Sequence, residues 1–162
     1  MNWQEQKKWS DAYLPEIKTI LGLYLIGEAT QEEDATHNTD LVVVTMAAVR
    51  IACRVRRPGY AERYGDEFTI RSQLATGSKT ELAKIIEGWG DYMFYGHAGE
   101  SGLTAWALCD LKPFRLWFNR KMAKNGGKVP GIIKHNQDGE TSFRAYNFND
   151  MPTDFIIARK KI

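Results

Sequence analysis

Residues 49–57 alternate between apolar and basic side chains, and this alternation constrains the fold more than any other feature of the sequence. Arg50, Arg54 and Arg56 fall on one side of the repeat together with Ala52, and the other side carries Val49, Ile51, Cys53 and Val55. A period of two is the period of a β-strand, whose successive side chains point to opposite faces. The segment therefore predicts a strand that buries one face and presents arginines on the other.

Two further segments predict strands on either side of this one. Residues 41–46 begin with a continuous β-branched run, which is typical of a buried strand, and residues 67–72 alternate like residues 49–57. Because the connections are short, these strands are expected to form an antiparallel meander. An amphipathic helix from Thr80 to Asp91 and a strand over residues 103–111 follow. This order predicts an α+β fold in which the meander extends to a mixed sheet flanked by helices.

Several local signals complete the secondary-structure prediction. Residues 78–81 resemble a capping box for the helix that follows them. Residues 89–97 are rich in aromatic side chains, which either seal the core at helical spacing or stack on exposed bases. The Asp-Gly pair at residues 138–139 predicts a hairpin turn. The remaining predicted elements are helices over residues 3–20 and 113–122, hairpin strands over residues 132–134 and 142–146, and a strand over residues 155–159.

Charge is distributed unevenly along the chain. The 162 residues carry a net charge of +2, but residues 1–40 carry −5 and residues 112–162 carry +7. The length predicts one domain over residues 1–162, and the 43% of hydrophobic residues supply enough apolar material for a core. An acidic and a basic end on one domain predict a surface with two electrostatic faces.

Composition and missing motifs exclude several classes of protein. Two cysteines and three histidines are too few for a disulfide framework or a His-rich zinc site. The first residues do not resemble a signal peptide, and no apolar run approaches the roughly 18 residues of a membrane span. The sequence also lacks the phosphate-loop, dinucleotide-binding, hydrolase-elbow and zinc-protease motifs. We therefore expect a soluble cytoplasmic protein with no membrane partner.

Arginines are the first candidates for a binding site. A guanidinium group matches the oxygens of a phosphate in a bidentate way, so a row of arginines on one strand face favours a nucleic-acid partner. Internal ion pairs with nearby acids such as Asp66 and Glu67 are the alternative. The candidate phosphate ligands of the predicted sheet are Arg50, Arg54, Arg56 and Arg71.

Helical side chains add further basic candidates. Lys84 lies on the predicted helix over residues 80–91, where it is also spaced to pair with Glu81. Residues 112–162 predict a basic extension made of a helix and a hairpin. Its helix carries the cluster Arg120, Lys121 and Lys124, which is expected to lie across a phosphate backbone.

Asp40 stands at the entry to the first predicted strand, and Arg54-Val55-Arg56 follows on the next strand. With the predicted order of helix, meander, helix and strand, residues 10–111 resemble the core of the PD-(D/E)XK nuclease superfamily. The resemblance implies a restriction-endonuclease-like core and a Mg²⁺ ion held by Asp40 and a second acid.

The chain departs from the family pattern at the second acid. Arginines occupy the Glu-x-Lys position, and an arginine cannot ligate a metal because it has no free lone pair. The second catalytic acid is then Glu67 or an acid within residues 28–34. If neither serves, the core is degenerate and binds phosphate without hydrolysis.

The leading hypothesis is therefore a nucleic-acid-binding protein with a nuclease-like core, either active with Mg²⁺ or degenerate. The alternative is a non-enzymatic inhibitor or accessory protein of the phage type, which binds a protein partner through a charged face. A small-molecule enzyme that uses His97 or Cys109 is a third hypothesis.

Overall fold

The computed structural model describes residues 3–28, 41–43, 49–73, 77, 79–136 and 141–162. The chain divides into two compact units, Met1–Val49 and Arg50–Ile162. The prediction of one domain is not tested by this division and stays a prediction. No helix within the described ranges is long and apolar enough to cross a bilayer.

The described residues of the first unit form two helices and a pair of short strands. Its elements are α1 (Trp3–Asp11), α2 (Leu14–Leu25), β1 (Ile26–Glu28) and β2 (Leu41–Val43), and the two strands pair antiparallel. The predicted helix over residues 3–20 is thus two helices. The break has a physical cause, because Pro15 lacks a backbone N–H and is tolerated only in the first turn of a helix.

The second unit contains seven strands in two sheets. In chain order its elements are β3 (Ile51–Arg56), α3 (Ala61–Tyr64), β4 (Glu67–Gln73), α4 (Glu81–Ile86), β5 (Tyr92–Ala98), β6 (Leu103–Asp110), α5 (Leu111–Lys124), β7 (Ile132–His135), β8 (Ser142–Asn147), a 3₁₀ turn (Phe148–Asp150) and β9 (Ile156–Lys160). The four-stranded sheet has the order β3-β5-β6-β9, with β3 parallel to β5 and the other pairs antiparallel. The three-stranded sheet has the order β4-β8-β7 and is antiparallel.

The predicted α+β class and mixed sheet are confirmed, but the antiparallel meander is wrong. The three segments that were expected to pair lie in three different sheets, because β2 pairs with β1, β3 with β5 and β4 with β8. Alternation identifies a strand but does not identify its neighbour. The neighbour of β3 is β5, which lies in the aromatic segment. For this segment the sequence predicts either core packing at helical spacing or stacking on bases. In the structure β5 is a strand that is buried along almost its whole length. The restriction-endonuclease-like core stays a prediction.

Helix α4 is shorter than predicted and has a different cap. It ends at Ile86, and Gly88 follows with a φ of +102°, a conformation that glycine adopts without strain. Its N-cap is Thr80, whose hydroxyl accepts a hydrogen bond from the backbone N–H of Ala83 at 3.1 Å. The capping residue is therefore Thr80 rather than Ser78. The other predicted helix of this unit, now α5, is capped by Asp110, and Pro113 lies in its first turn.

Aromatic rings form the centre of the second unit. Phe68 of β4 is completely buried. Its ring centroid lies between 4.9 and 6.4 Å from the centroids of five rings that belong to both sheets, α5 and the adjoining segments, namely Tyr95, Phe114, Tyr146, Phe148 and Phe155. Because one residue contacts both sheets, its side chain fixes their packing.

We expect Phe68→Ala to reduce the free energy of unfolding by about 3–5 kcal/mol, because it leaves a cavity that five rings cannot fill. The measurement is the urea midpoint of the purified variant. The control is Ile132→Ala, because Ile132 is 66% exposed and its loss should change stability by less than about 0.5 kcal/mol. Equal midpoints for the two variants would contradict this account of the core.

Candidate nucleic-acid interface

The guanidinium group of Arg54 is held inside the second unit. Its Nη1 atom donates to Oε2 of Glu81 at 3.0 Å and to the carbonyl oxygen of Thr69 at 2.8 Å. Oε2 of Glu81 also accepts the backbone N–H of Arg71 at 3.0 Å. Both charged side chains of the ion pair are less than a third exposed. One carboxylate thus compensates the arginine and joins α4 to β3 and β4.

Strand register explains why this arginine points inward. Arg54 is the register partner of Tyr95, Tyr95 of Ala107, and Ala107 of Arg159. Register partners share a face of a sheet, so these four side chains lie on the face that packs against Thr69 and the 3₁₀ turn. On this face of β3 Arg54 is half-buried, whereas Ala52 is exposed. The predicted alternative of internal ion pairs applies to Arg54, and its partner is Glu81.

Arg159, at the opposite edge of this sheet face, is also paired with an acid. Nη2 of Arg159 donates to Oδ1 of Asp66 at 2.7 Å and to the carbonyl oxygen of Gly65. Its guanidinium carbon lies 4.4 Å from the ring centroid of Phe148. Hydrogen bonds from Arg159 and Lys161 hold the pKa of Asp66 below its ordinary value.

Arg56 differs from Arg54 because it forms no hydrogen bond or ion pair within the described ranges. Its guanidinium carbon lies 4.7 Å from the ring centroid of Tyr60 and 6.0 Å from that of Phe143. A guanidinium over an aromatic face is attracted by the ring quadrupole, while its N–H donors stay available at the edge. Arg56 is thus positioned by stacking rather than by a counter-ion.

Tyr60 belongs to a surface that we name the tyrosine–cation ladder, made of Arg56, Tyr60, Tyr64 and Lys134. Tyr60 precedes α3 and Tyr64 ends it, and the N–H of Tyr64 donates to the carbonyl of Tyr60 at 2.9 Å. Residues four apart lie on one side of a helix, and the two ring centroids are 5.9 Å apart. Nζ of Lys134 lies 5.0 Å from the ring centroid of Tyr64. Each tyrosine therefore has a cation against it, and the two are 39% and 40% exposed.

The other predicted phosphate ligands are spread over the second unit. Arg50 is exposed, and its backbone N–H donates to the carboxylate of Asp91 at 2.8 Å. Arg71 is half-buried and bonds Glu81 through its backbone. Lys84 is exposed, and Glu81, its expected partner, pairs with Arg54 instead. The structure thus brings only Arg56 of the predicted arginines into the ladder.

The predicted metal site is only partly within the described residues. Asp40 lies outside them. Glu67, the candidate second acid, is paired with Lys134 at 3.2 Å. Across the ranges that the structure describes, no group of three or more His, Cys, Asp or Glu side chains could hold a metal ion. The roles of Asp40, Glu67 and Mg²⁺ therefore stay predictions.

The basic cluster of α5 lines a groove of about 240 Å³, which we name the α5 groove. Arg120, Lys121 and Lys124 meet there as predicted for one helix face. Leu116 and Trp117 from the same helix supply apolar lining, as do Pro113 and Pro152, and Asp154 contributes one carboxylate.

Burial makes the third hypothesis, an enzyme with His97 or Cys109 at its centre, chemically unfavourable. Cys109 is completely buried, and burial raises the pKa of its thiol to about 12, so the thiolate needed for nucleophilic attack is scarce. His97 is 3% exposed, and its imidazole contacts the ring of Tyr95 at 5.5 Å between centroids. Burial, with the charges of Arg56 and Arg159, lowers the pKa of His97.

Comparison with known proteins yields no match: no family model, no curated protein and no solved structure is similar to this chain. The PD-(D/E)XK resemblance therefore stays a prediction. Sequence reasoning missed Tyr60 and Tyr64, and it identified Lys134 only as one of the basic residues of the extension over residues 112–162. The spacing of four between the tyrosines, directly after the Pro-Gly turn, is the signal that points to the first two.

We expect Glu81→Gln to lower the free energy of unfolding by about 1–3 kcal/mol, because the variant leaves the partly buried charge of Arg54 without a counter-ion. The matched control is Glu87→Gln. Glu87 pairs with Lys79 at 2.6 Å, but both side chains are more than 40% exposed, so its loss should cost less than about 1 kcal/mol. Urea titrations of both variants measure the difference, and an equal loss would contradict the structural role of the Arg54 pair.

The lowered pKa of His97 predicts that stability falls as the pH decreases through about 6.5, the ordinary histidine value. Below that pH the histidine is protonated in the unfolded chain but stays neutral in the folded chain. The free energy of unfolding therefore falls by at most about 1.4 kcal/mol for each pH unit. Above it both states are neutral at this residue and its contribution is constant. His97→Gln should flatten the dependence of the urea midpoint on pH between 7.5 and 5.5, values spaced about one unit either side of the ordinary pKa.

The matched control for this measurement is His135→Gln, since His135 is exposed on β7. The control should keep the wild-type dependence on pH. A wild-type protein whose midpoint does not change over this range would contradict the account.

Proposed function

We propose that the protein binds single-stranded nucleic acid through the tyrosine–cation ladder. The single observation that carries the proposal is the placement of two exposed tyrosine rings, each with a cationic group at 4.7–5.0 Å from its centroid. Unpaired bases stack on exposed aromatic rings, and neighbouring cations contact the backbone that joins those bases.

The rings suit single strands better than duplexes. The faces of bases are accessible only when the bases are unstacked, and stacking on Tyr60 and Tyr64 needs no particular sequence. The ring centroids of Tyr60 and Tyr64 are 5.9 Å apart, which is close enough for the two rings to stack on neighbouring bases of one strand. Ala61 between them is buried, which anchors the short helix and holds the rings in place.

The cations supply the electrostatic part of the binding. Arg56 has no acidic partner among the residues described. A phosphate can therefore accept hydrogen bonds from its N–H groups without breaking an ion pair. Lys134 shares its charge with Glu67, so its attraction for a phosphate is partly compensated. Arg56 is therefore the main phosphate ligand of the ladder.

Hydrolysis is not part of this proposal. A Mg²⁺-dependent step of the kind that the nuclease resemblance implies would depend on Asp40, and Glu67 would first have to leave Lys134. Binding by the ladder requires neither acid. A nuclease assay with Mg²⁺ on wild type and Asp40→Asn remains the direct test of the catalytic prediction.

We expect Tyr60→Ala and Tyr64→Ala each to weaken binding of a fluorescein-labelled oligothymidine of about 12 nucleotides, a length within the site sizes of single-strand binders. One lost stacking contact is worth about 1–3 kcal/mol, so each affinity should fall about 5- to 150-fold. Fluorescence anisotropy at fixed salt measures the effect. Trp89→Ala is the control, because Trp89 is a 63% exposed aromatic residue outside the ladder.

Salt dependence in the same titration separates the charge contribution from stacking. Arg56→Ala should reduce the slope of log affinity against log salt by about 0.7, the value for one phosphate contact to a single strand. Tyr64→Ala should weaken binding with a smaller effect on the slope, because Tyr60, the ring against which Arg56 stacks, stays in place. If both tyrosine variants bind as tightly as wild type, or if a duplex of equal length binds more tightly than the single strand, the proposal is wrong.

A further inference from the structure

The α5 groove is a second surface that the tyrosine–cation ladder does not use. The helix buries Leu111, Phe114 and Phe118 against the core, whereas Leu116 lies on another side and is 52% exposed. The apolar lining of the groove continues from Leu116 to Trp117. Exposed apolar surface of this kind, bordered by charged residues, is typical of an interaction site.

The charged border of the groove is mainly basic. Arg120, Lys121 and Lys124 line it and form no ion pair with any residue that the structure describes. Asp154 is the one acidic residue of the lining. The groove therefore attracts an anionic ligand while its wall favours burial of an apolar group.

The residue types that line the groove favour one class of ligand, a peptide or a nucleic acid, over the other. Two prolines and Leu116 form much of the wall, and they offer no aromatic ring on which a base can stack. Trp117 is the one aromatic ring of the lining, and it already stacks on Phe114 at 5.9 Å with an angle of 26° between the rings. Burial of an aliphatic or aromatic side chain needs only apolar contact. These features favour a protein ligand.

We propose that the α5 groove binds an acidic peptide segment of a partner protein that carries one bulky apolar side chain. The apolar side chain occupies the space beside Leu116, and carboxylates before and after it contact Arg120, Lys121 and Lys124. A cavity of about 240 Å³ is smaller than the roughly 300–1,000 Å³ of a drug-sized ligand pocket, so it accepts one side chain rather than a folded element.

The test uses a series of fluorescein-labelled nine-residue peptides with Asp and Glu at the flanking positions. The central residue is Phe, Leu or Gly, and a matched set carries Asn and Gln at the flanks. We expect the acidic Phe and Leu peptides to bind at least about tenfold more tightly than the acidic Gly peptide, since the apolar contact accounts for the difference. The neutral peptides should bind at least about tenfold more weakly than their acidic counterparts.

Variants locate the binding on this helix. Leu116→Ser should reduce affinity for the Phe peptide to that of the Gly peptide, and Lys121→Glu should weaken every acidic peptide. Lys112→Glu is the matched control, because Lys112 is an exposed lysine of the same helix outside the groove and its reversal should leave the affinities unchanged. Because Leu116 and Lys121 are exposed, urea midpoints of these variants should match wild type and exclude misfolding.

Three results would overturn the proposal. The first is equal affinity for the Phe and Gly peptides, and the second is no binding of any acidic peptide up to about 1 mM. The third is displacement of the Phe peptide by oligothymidine together with loss of oligothymidine binding in Leu116→Ser, which would assign the groove to nucleic acid. Failure of the ladder variants in the nucleic-acid assay does not affect this outcome, because the two surfaces share no residue.

Discussion

The carboxylate of Glu81 is the contact on which the arrangement of the second unit depends. It accepts one hydrogen bond from the guanidinium of Arg54 and one from the backbone of Arg71, so a single side chain at the start of α4 joins a strand from each sheet. Removing a guanidinium from water without a counter-ion is costly. The guanidinium of Arg54 can be partly buried because this carboxylate lies beside it.

The same principle organises the rest of the sheet face that carries Arg54. Arg159 is compensated by Asp66 at one end, and Tyr95 in the middle shares a hydrogen bond with the hydroxyl of Thr69 at 3.1 Å. Arg56 lies at the margin, where an aromatic ring replaces the acid. On one sheet face, Arg54 and Arg159 are paired with acids and stabilise the fold. Arg56 has no acidic partner among the described residues, so its charge is available to a ligand.

Sequence periodicity predicts the secondary-structure elements of this protein better than it predicts which strands pair with each other. The alternation in residues 49–57 and 67–72 and the Asp-Gly hairpin predict strands that the structure contains. Their pairing depends on which faces can be buried together, and that is decided by β5 and by Glu81, which are distant from β3 in sequence. The basic cluster of α5 was predictable because helix geometry alone brings residues 120, 121 and 124 together. The tyrosine–cation ladder could not be predicted in this way, because Lys134 lies beside Tyr64 only through the pairing of β7 with β8.

The position of β9 has a consequence for how the second unit forms. β9 pairs with β6, and Arg159 contacts Asp66 across 93 residues of chain. Lys134 and Glu67 are likewise 67 residues apart. Neither contact can form until the chain has been synthesised as far as Lys134 or Arg159, and contacts between residues so distant in sequence form slowly. The edge of β6 that pairs with β9 is therefore open until β9 has been made. An open strand edge can pair with other chains, so aggregation competes with folding during this interval.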